Sequence, residues 1–127
     1  MISQMRHSLI AALLIALPST AQAHSWYSGK RDPIFNTTTC CGSSDCRELP
    51  SHAMSITASG DLRVTLTLDE ARRINPARTE PFDAVIPFDR IQPSEDGSPH
   101  ICLMAKDRIS EGDQRQGFFC IFIPDAS

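Results

Sequence analysis

The clearest order in the chain is an alternation of apolar and polar positions in its middle third. Met54, Ile56 and Ala58 alternate with Ser55 and Thr57, and Leu62, Val64, Leu66 and Leu68 alternate with Arg63, Thr65 and Thr67. A period of two sends successive side chains to opposite faces of a strand, and Ser59, Gly60 and Asp61 between the two runs have turn chemistry. Residues 54–68 therefore predict a β-hairpin. Thr67 and Glu70 stand at capping-box spacing, which predicts a short helix over 68–74 ended by Asn75 and Pro76. The proline-rich stretch 76–87 predicts a surface crossing with one short strand at 84–86, and 94–99, containing Asp96 and Gly97, predicts a tight turn.

Residues 100–105 and 118–123 predict two closing strands joined by the charged loop 106–116. With that loop centred near Glu111, Cys102 falls opposite Cys120, Met104 opposite Phe118 and His100 opposite Phe122 on one face. Ile101, Leu103, Phe119, Ile121 and Ile123 then share the other. Both faces are largely apolar, so each needs a cover. The first hairpin is the expected cover for one, and the aromatic N-terminal segment, with Trp26, Tyr27, Ile34 and Phe35, for the other. Residues 24–50 show no apolar period and are rich in Gly, Ser, Thr, Asp and Pro, so they predict irregular backbone that needs a staple. The fold expected is mainly β: a small antiparallel sheet or barrel-like domain, an irregular disulfide-stapled N-terminal segment and at most one short helix.

The first 23 residues change the picture of what the mature protein is. Met1 to His7 is a short polar stretch carrying Arg6, Ser8 to Leu17 is an apolar run, Pro18 breaks it, and Ala21-Gln22-Ala23 offers a small-x-small cleavage site. This order predicts a cleavable signal peptide over 1–23 and a mature chain beginning at His24, in the periplasm or secreted. The apolar run is well short of the roughly 20 residues that span a bilayer, so no integral membrane span is expected after cleavage. Residues 24–127 make one small domain, with 24–50 as the irregular cysteine-containing segment and 51–127 as the β core.

Five cysteines, Cys40, Cys41, Cys46, Cys102 and Cys120, all fall in that mature part. In an oxidising compartment their expected fate is disulfide formation. A cross-strand Cys102–Cys120 bridge satisfies the geometry of directly opposite residues. The aromatic segment would bring Cys40 or Cys41 near Cys102 or Cys120, so bridges from the N-terminal segment to the last hairpin compete with it, and this N-terminal staple is the preferred expectation. Zinc is the rival explanation for the Cys-Cys-x4-Cys cluster, but the spacing departs from the usual Cys-x2-Cys knuckle.

Charge and motif content narrow the function classes. Lys and Arg number 12 against 15 Asp and Glu, a net charge of −3. The acids are scattered and there is no basic excess to meet phosphates, so no nucleic-acid partner is expected. The chain has no Gly-x-Ser-x-Gly elbow, phosphate loop or dinucleotide fingerprint, and its cysteines make no Cys-x-x-Cys redox pair, so no catalytic residues are assigned and enzymatic activity is not expected.

His24-Ser25-Trp26-Tyr27, the Cys40-Cys41 pair with Asp45-Cys46 behind it, the turn Gln92-Pro93-Ser94-x-Asp96-Gly97 leading to His100-x-Cys102, and Cys120-x-Phe122 before Pro124 resemble small exported bacterial proteins of unknown function. The resemblance spans most of the mature chain and implies no activity. It does imply that the position of Ser51 is often a sixth cysteine and that the gap from Tyr27 to Cys40 is shorter, so this chain lacks one half of a bridge.

Two functional expectations follow. The first is a non-catalytic exported module that binds an envelope component or another protein through its loops or its aromatic N-terminal segment, with Trp26 and Tyr27 as the candidate surface. The alternative is a periplasmic copper-binding protein. An N-terminal His24 offers an amine and an imidazole, and His52 or His100 can add a second imidazole, a neutral nitrogen set that suits Cu(II). Met54 and Met104 share strand faces with those histidines, although methionines at such positions are more often core fillers.

Overall fold

The structure, a computed structural model, describes residues 25–27, 29–36, 39–40 and 45–124. The expected signal peptide over 1–23, His24 and Cys41 lie outside the described residues. The protein is mainly β with one α-helix, as the alternation predicts. Its strands are β1 (Cys46–Glu48), β2 (Met54–Ile56), β3 (Leu62–Leu66), β4 (Phe82–Ile86), β5 (Ile91–Pro93), β6 (His100–Leu103) and β7 (Phe118–Ile123), and α1 covers Leu68–Ile74. They form two sheets, one ordered β1-β6-β7-β5 and the other β2-β3-β4. Among the described residues no helix is long and apolar enough to cross a membrane.

The predicted hairpin forms, with Met54 opposite Val64 and Ile56 opposite Leu62. Ala58 belongs to its turn rather than to a strand, because Thr57 closes the reversal by pairing with Gly60 and Asp61. Gly60 has a φ of +87° there, a conformation that costs glycine nothing. The inward side chains are Val64 and Leu66, both buried, while Ile56, at the strand end, is 70% exposed. The helix begins with the full capping box: Glu70 N–H donates to the Thr67 hydroxyl and the Glu70 carboxylate accepts from Thr67 N–H. Its buried residues, Ala71 and Ile74, are three apart and face the sheets.

β6 is buried along its whole length. On one face Ile101, Leu103, Phe118 and Ile121 pack with Val64, Leu66, Phe82 and Ile86 of the second sheet and with α1. On the other, Cys102, Cys120 and Phe122 pack with Tyr27, Cys40 and Cys46, flanked by Trp26 and Phe119. Both expected covers are thus in place, the second through Trp26 and Tyr27, whereas Ile34 is 50% exposed and, like Phe35, lies outside that core. The register of the closing hairpin differs from the expected one beyond Cys102–Cys120: Leu103, not Met104, pairs with Phe118. A β-bulge at Phe119 is the cause. One extra residue in β7 turns Phe118 toward the first core and Phe119 toward the second.

The disulfides join Cys40 to Cys120 and Cys46 to Cys102. The N-terminal staple is therefore the pairing formed, and the cross-strand Cys102–Cys120 bridge is not. Residues 46–48, expected to be irregular, form β1 against β6, with Cys46 directly opposite Cys102. Leu103 N–H donates to Asp45 C=O and Leu49 N–H to Pro99 C=O, which makes Cys46–Cys102 a narrow, non-hydrogen-bonded pair. Their Cα atoms are 4.0 Å apart.

A buried charge pair holds the same segment to the other end of β7. Asp32 accepts from Ile34 and Phe35 N–H at 2.8 and 2.9 Å through one oxygen and from Arg90 Nε at 2.7 Å through the other. Arg90 also donates to the carbonyls of Arg115 and Phe118, and its guanidinium lies 3.6 Å from the Phe118 ring centroid. Both partners are essentially inaccessible, so each charge depends on the other. Asp32→Ala leaves the Arg90 charge uncompensated in the interior and is expected to cost about 3–5 kcal/mol in denaturant unfolding. Adding Arg90→Met is expected to recover part of that loss, and a single-variant loss below about 1 kcal/mol, the level of an exposed pair, contradicts the burial.

Candidate functional site

A cleft of about 970 Å³ opens at the β1 edge of the four-stranded sheet. Its first wall is the chain from Arg47 to Met54, its second is the face of α1 bearing Glu70, Arg73 and Ile74, and its third holds Tyr27, Asp96, Pro99 and His100. The walls meet because α1 packs against both β1 and β6. A size of this order, with an apolar floor and a few convergent polar groups, is typical of ligand pockets.

The third wall is a hydrogen-bonded chain across the fold. His100 is 6% exposed. Its Nε2 meets the Asp96 carboxylate at 2.7 and 2.9 Å, and its Nδ1 is hydrogen-bonded to the Tyr27 hydroxyl. A carboxylate only accepts, so Nε2 carries the proton, and in the neutral ring Nδ1 accepts from the Tyr27 phenol. Trp26 sits edge-on to both His100 and Phe122, at centroid distances of 5.2 and 4.9 Å. Burial tends to raise the Asp96 carboxyl, but hydrogen bonds from Ser98 N–H, His100 and the Ser94 hydroxyl outweigh it and leave the group below its ordinary value. An ion pair between Lys30 and Glu95 adds a surface tie between the N-terminal segment and this turn.

On the opposite side His52 Nε2 is paired with a Glu70 carboxylate oxygen whose partner oxygen accepts from Thr67 N–H at 3.0 Å. The Thr67 N–H is the largest cause of a lowered Glu70 carboxyl, with His52 next. Arg47, Glu48 and Arg73, by contrast, have no side-chain hydrogen bond or ion pair among the described residues, though each lines the cleft.

The cleft brings together four of the residues singled out in the sequence, Tyr27, His52, Met54 and His100. Tyr27 is buried at 2% exposure and Trp26 is half-buried, so both are packed into the second core, and Tyr27 meets the cleft at its wall. Met104 is wholly buried away from these groups. Of the disulfide candidates, Cys40, Cys46, Cys102 and Cys120 are bridged beneath the third wall. Both nitrogens of His100 are occupied, so coordinating a metal there would cost its bond to Tyr27 or to Asp96. Among the described residues no three His, Cys, Asp or Glu side chains are grouped closely enough to hold a metal ion.

Sequence reasoning missed Arg47, Glu48, Arg73 and Asp96 as cleft residues. Asp96 carried a signal, four residues before His100 across a turn. The arginines carried none, because their convergence depends on α1 docking beside β1. Comparisons with protein-family models, with curated proteins and with solved structures return no match.

The lowered Asp96 carboxyl has a signed consequence. Between its folded value and its ordinary value near pH 4 the unfolded chain binds more protons, so this contribution to stability is present above about pH 4 and is lost as pH falls through the folded value. Acidification from roughly pH 5 to pH 3 is expected to lower the denaturant midpoint more in the native protein than in Asp96→Asn. Parallel pH profiles for the two proteins would contradict the Asp96–His100 contact.

Proposed function

We propose that the protein is an exported, disulfide-braced β module that acts by binding rather than by catalysis, with the cleft between β1, α1 and the 94–100 turn as its ligand site. The observation that carries this reading is the convergence of unpartnered Arg47, Glu48 and Arg73 on a cleft of ligand size. Charged side chains left without partners beside apolar surface are what a ligand can complete. Export is supported by the tripartite leader, and two disulfides are compatible with an oxidising compartment. The ligand belongs to the envelope or is a protein encountered there.

Copper binding is the second reading, supported by His52 and His100 lining one cleft. His24 would supply the amine and first imidazole, and His52, paired among the described residues with Glu70 alone, is the easier second donor.

One nitrogen-labelled sample, exported and confirmed by intact mass to begin at His24, tests both. Titration with a cocktail of small organic fragments is expected to shift amide resonances at Arg47, Leu49, His52, Arg73 and His100. Shifts confined to the 106–116 loop or to the neighbourhood of exposed Phe88 would contradict the cleft. Cu(II) added to the same sample is expected, on the second reading, to broaden His52 and its neighbours, and to lose that effect when one residue is added before His24.

A further inference from the structure

We infer that the cleft receives an extended polypeptide segment, which adds to the free edge of β1 as a further strand of that sheet. The inference rests on the cleft being the ligand site and names what enters it. Charge alone selects little there, because the lining sets Glu48, Glu70 and Asp96 against Arg47 and Arg73. The backbone of β1 discriminates more. β1 ends its sheet, with β6 on one side and no strand on the other among the described residues. Leu49 N–H donates to Pro99 C=O and Leu103 N–H to Asp45 C=O, which fixes the phase of the ladder. Arg47 exchanges its bonds with Ile101, and Glu48, opposite His100, turns its N–H and C=O away from β6. Neither of those two groups has a hydrogen bond among the described residues, and Glu48 is an exposed residue of the cleft lining. An unpaired donor and acceptor on one edge residue match the backbone of an antiparallel strand, the pairing by which peptides extend sheets.

Alternation then sets the side chains that fit. The residue paired with Glu48 points to the same side of the sheet as Glu48 and His100, the side on which His100 meets Tyr27 and Asp96. The charged lining residues on that side, Glu48 and Asp96, are both carboxylates, so a lysine or arginine complements them. Its two neighbours point to the α1 side, where Leu49 and Ile74 belong to the main core and Met54 packs against it, so apolar side chains fit there. The segment recognised is extended and reads apolar, basic, apolar, with the basic residue opposite Glu48.

The test uses the mature, disulfide-bonded protein and the blocked peptide acetyl-Ser-Val-Lys-Val-Ser-amide. Without peptide, the Glu48 amide is expected to exchange with solvent faster than the Arg47 amide. A protected Glu48 amide, or protection that grows with protein concentration as a second copy of the chain would give, would overturn the inference. Peptide is expected to slow Glu48 exchange and to shift the amides of Arg47, Leu49 and His100. Methylating the backbone nitrogen of the lysine removes the donor to Glu48 C=O and is expected to weaken binding about fivefold, the loss of one hydrogen bond of ordinary net strength. Methylating instead the valine that follows, whose N–H points away from β1, is expected to leave binding near that of the parent peptide. Glutamate in place of the lysine is expected to bind about fivefold more weakly, and Glu48→Gln to remove most of that difference. Equal binding of the parent and lysine-methylated peptides would overturn strand addition, and a preference for glutamate would overturn the basic position; either leaves the cleft as the ligand site. Shifts of cleft amides by small organic fragments but by no peptide would do the same. Failure of peptides and fragments alike would overturn the cleft itself.

Discussion

The structure depends on covering one strand twice. β6 is apolar on both faces and buried throughout, so it can exist in water only between two layers. The β2-β3-β4 sheet and α1 provide one layer from contiguous, self-organising sequence. The other must come from a segment with little secondary structure of its own, and two disulfides together with the Asp32–Arg90 pair hold it there. Closing loops of this length by covalent bonds stabilises chiefly by constraining the unfolded chain, typically by about 2–4 kcal/mol each. For a domain of roughly a hundred residues that is a large share of total stability.

The same docking builds the cleft. Tyr27 reaches His100 where the two disulfides and the Asp32–Arg90 pair hold the N-terminal segment over β6 and β7. His100 in turn orients Asp96 and fixes the turn that forms the third wall. The floor and the α1 wall belong to the first core, so the cleft lies where the two cores meet at the β1 edge. Its chemistry follows from this geometry: Glu70 and Asp96, next to a helix end and a turn, are satisfied locally, and Arg47 on β1 and Arg73 on α1 have no side-chain partner among the described residues.

Local features were legible in the sequence. The capping box of Thr67 and Glu70 and the alternation around Val64 and Leu66 are written in adjacent residues, and the structure has both. β1 and β5 were not legible, since each is three residues long and exists by pairing with β6 or β7; Pro93 in β5 is tolerated because that strand lies at a sheet edge. The bulge at Phe119 was invisible for a related reason: counting outward from a loop centre assumes even pairing, and one extra residue reverses the faces beyond it. The histidines were visible as candidates, and Asp96 stood four residues before His100, whereas Tyr27 meets His100 and Glu70 meets His52 only through tertiary structure.

The disulfide connectivity is the most direct test of the doubly covered strand. Trypsin should cut the unreduced protein after Arg31, Arg47, Arg90, Lys106 and Arg115. In a Cys41→Ser variant, which removes the odd cysteine, mass spectrometry is then expected to find one species joining residues 32–47, 91–106 and 116–127, with fragmentation placing the bonds at Cys40–Cys120 and Cys46–Cys102. A two-peptide species joining 91–106 to 116–127, with 32–47 free, would contradict the account, because β6 would then have been stapled without its second cover.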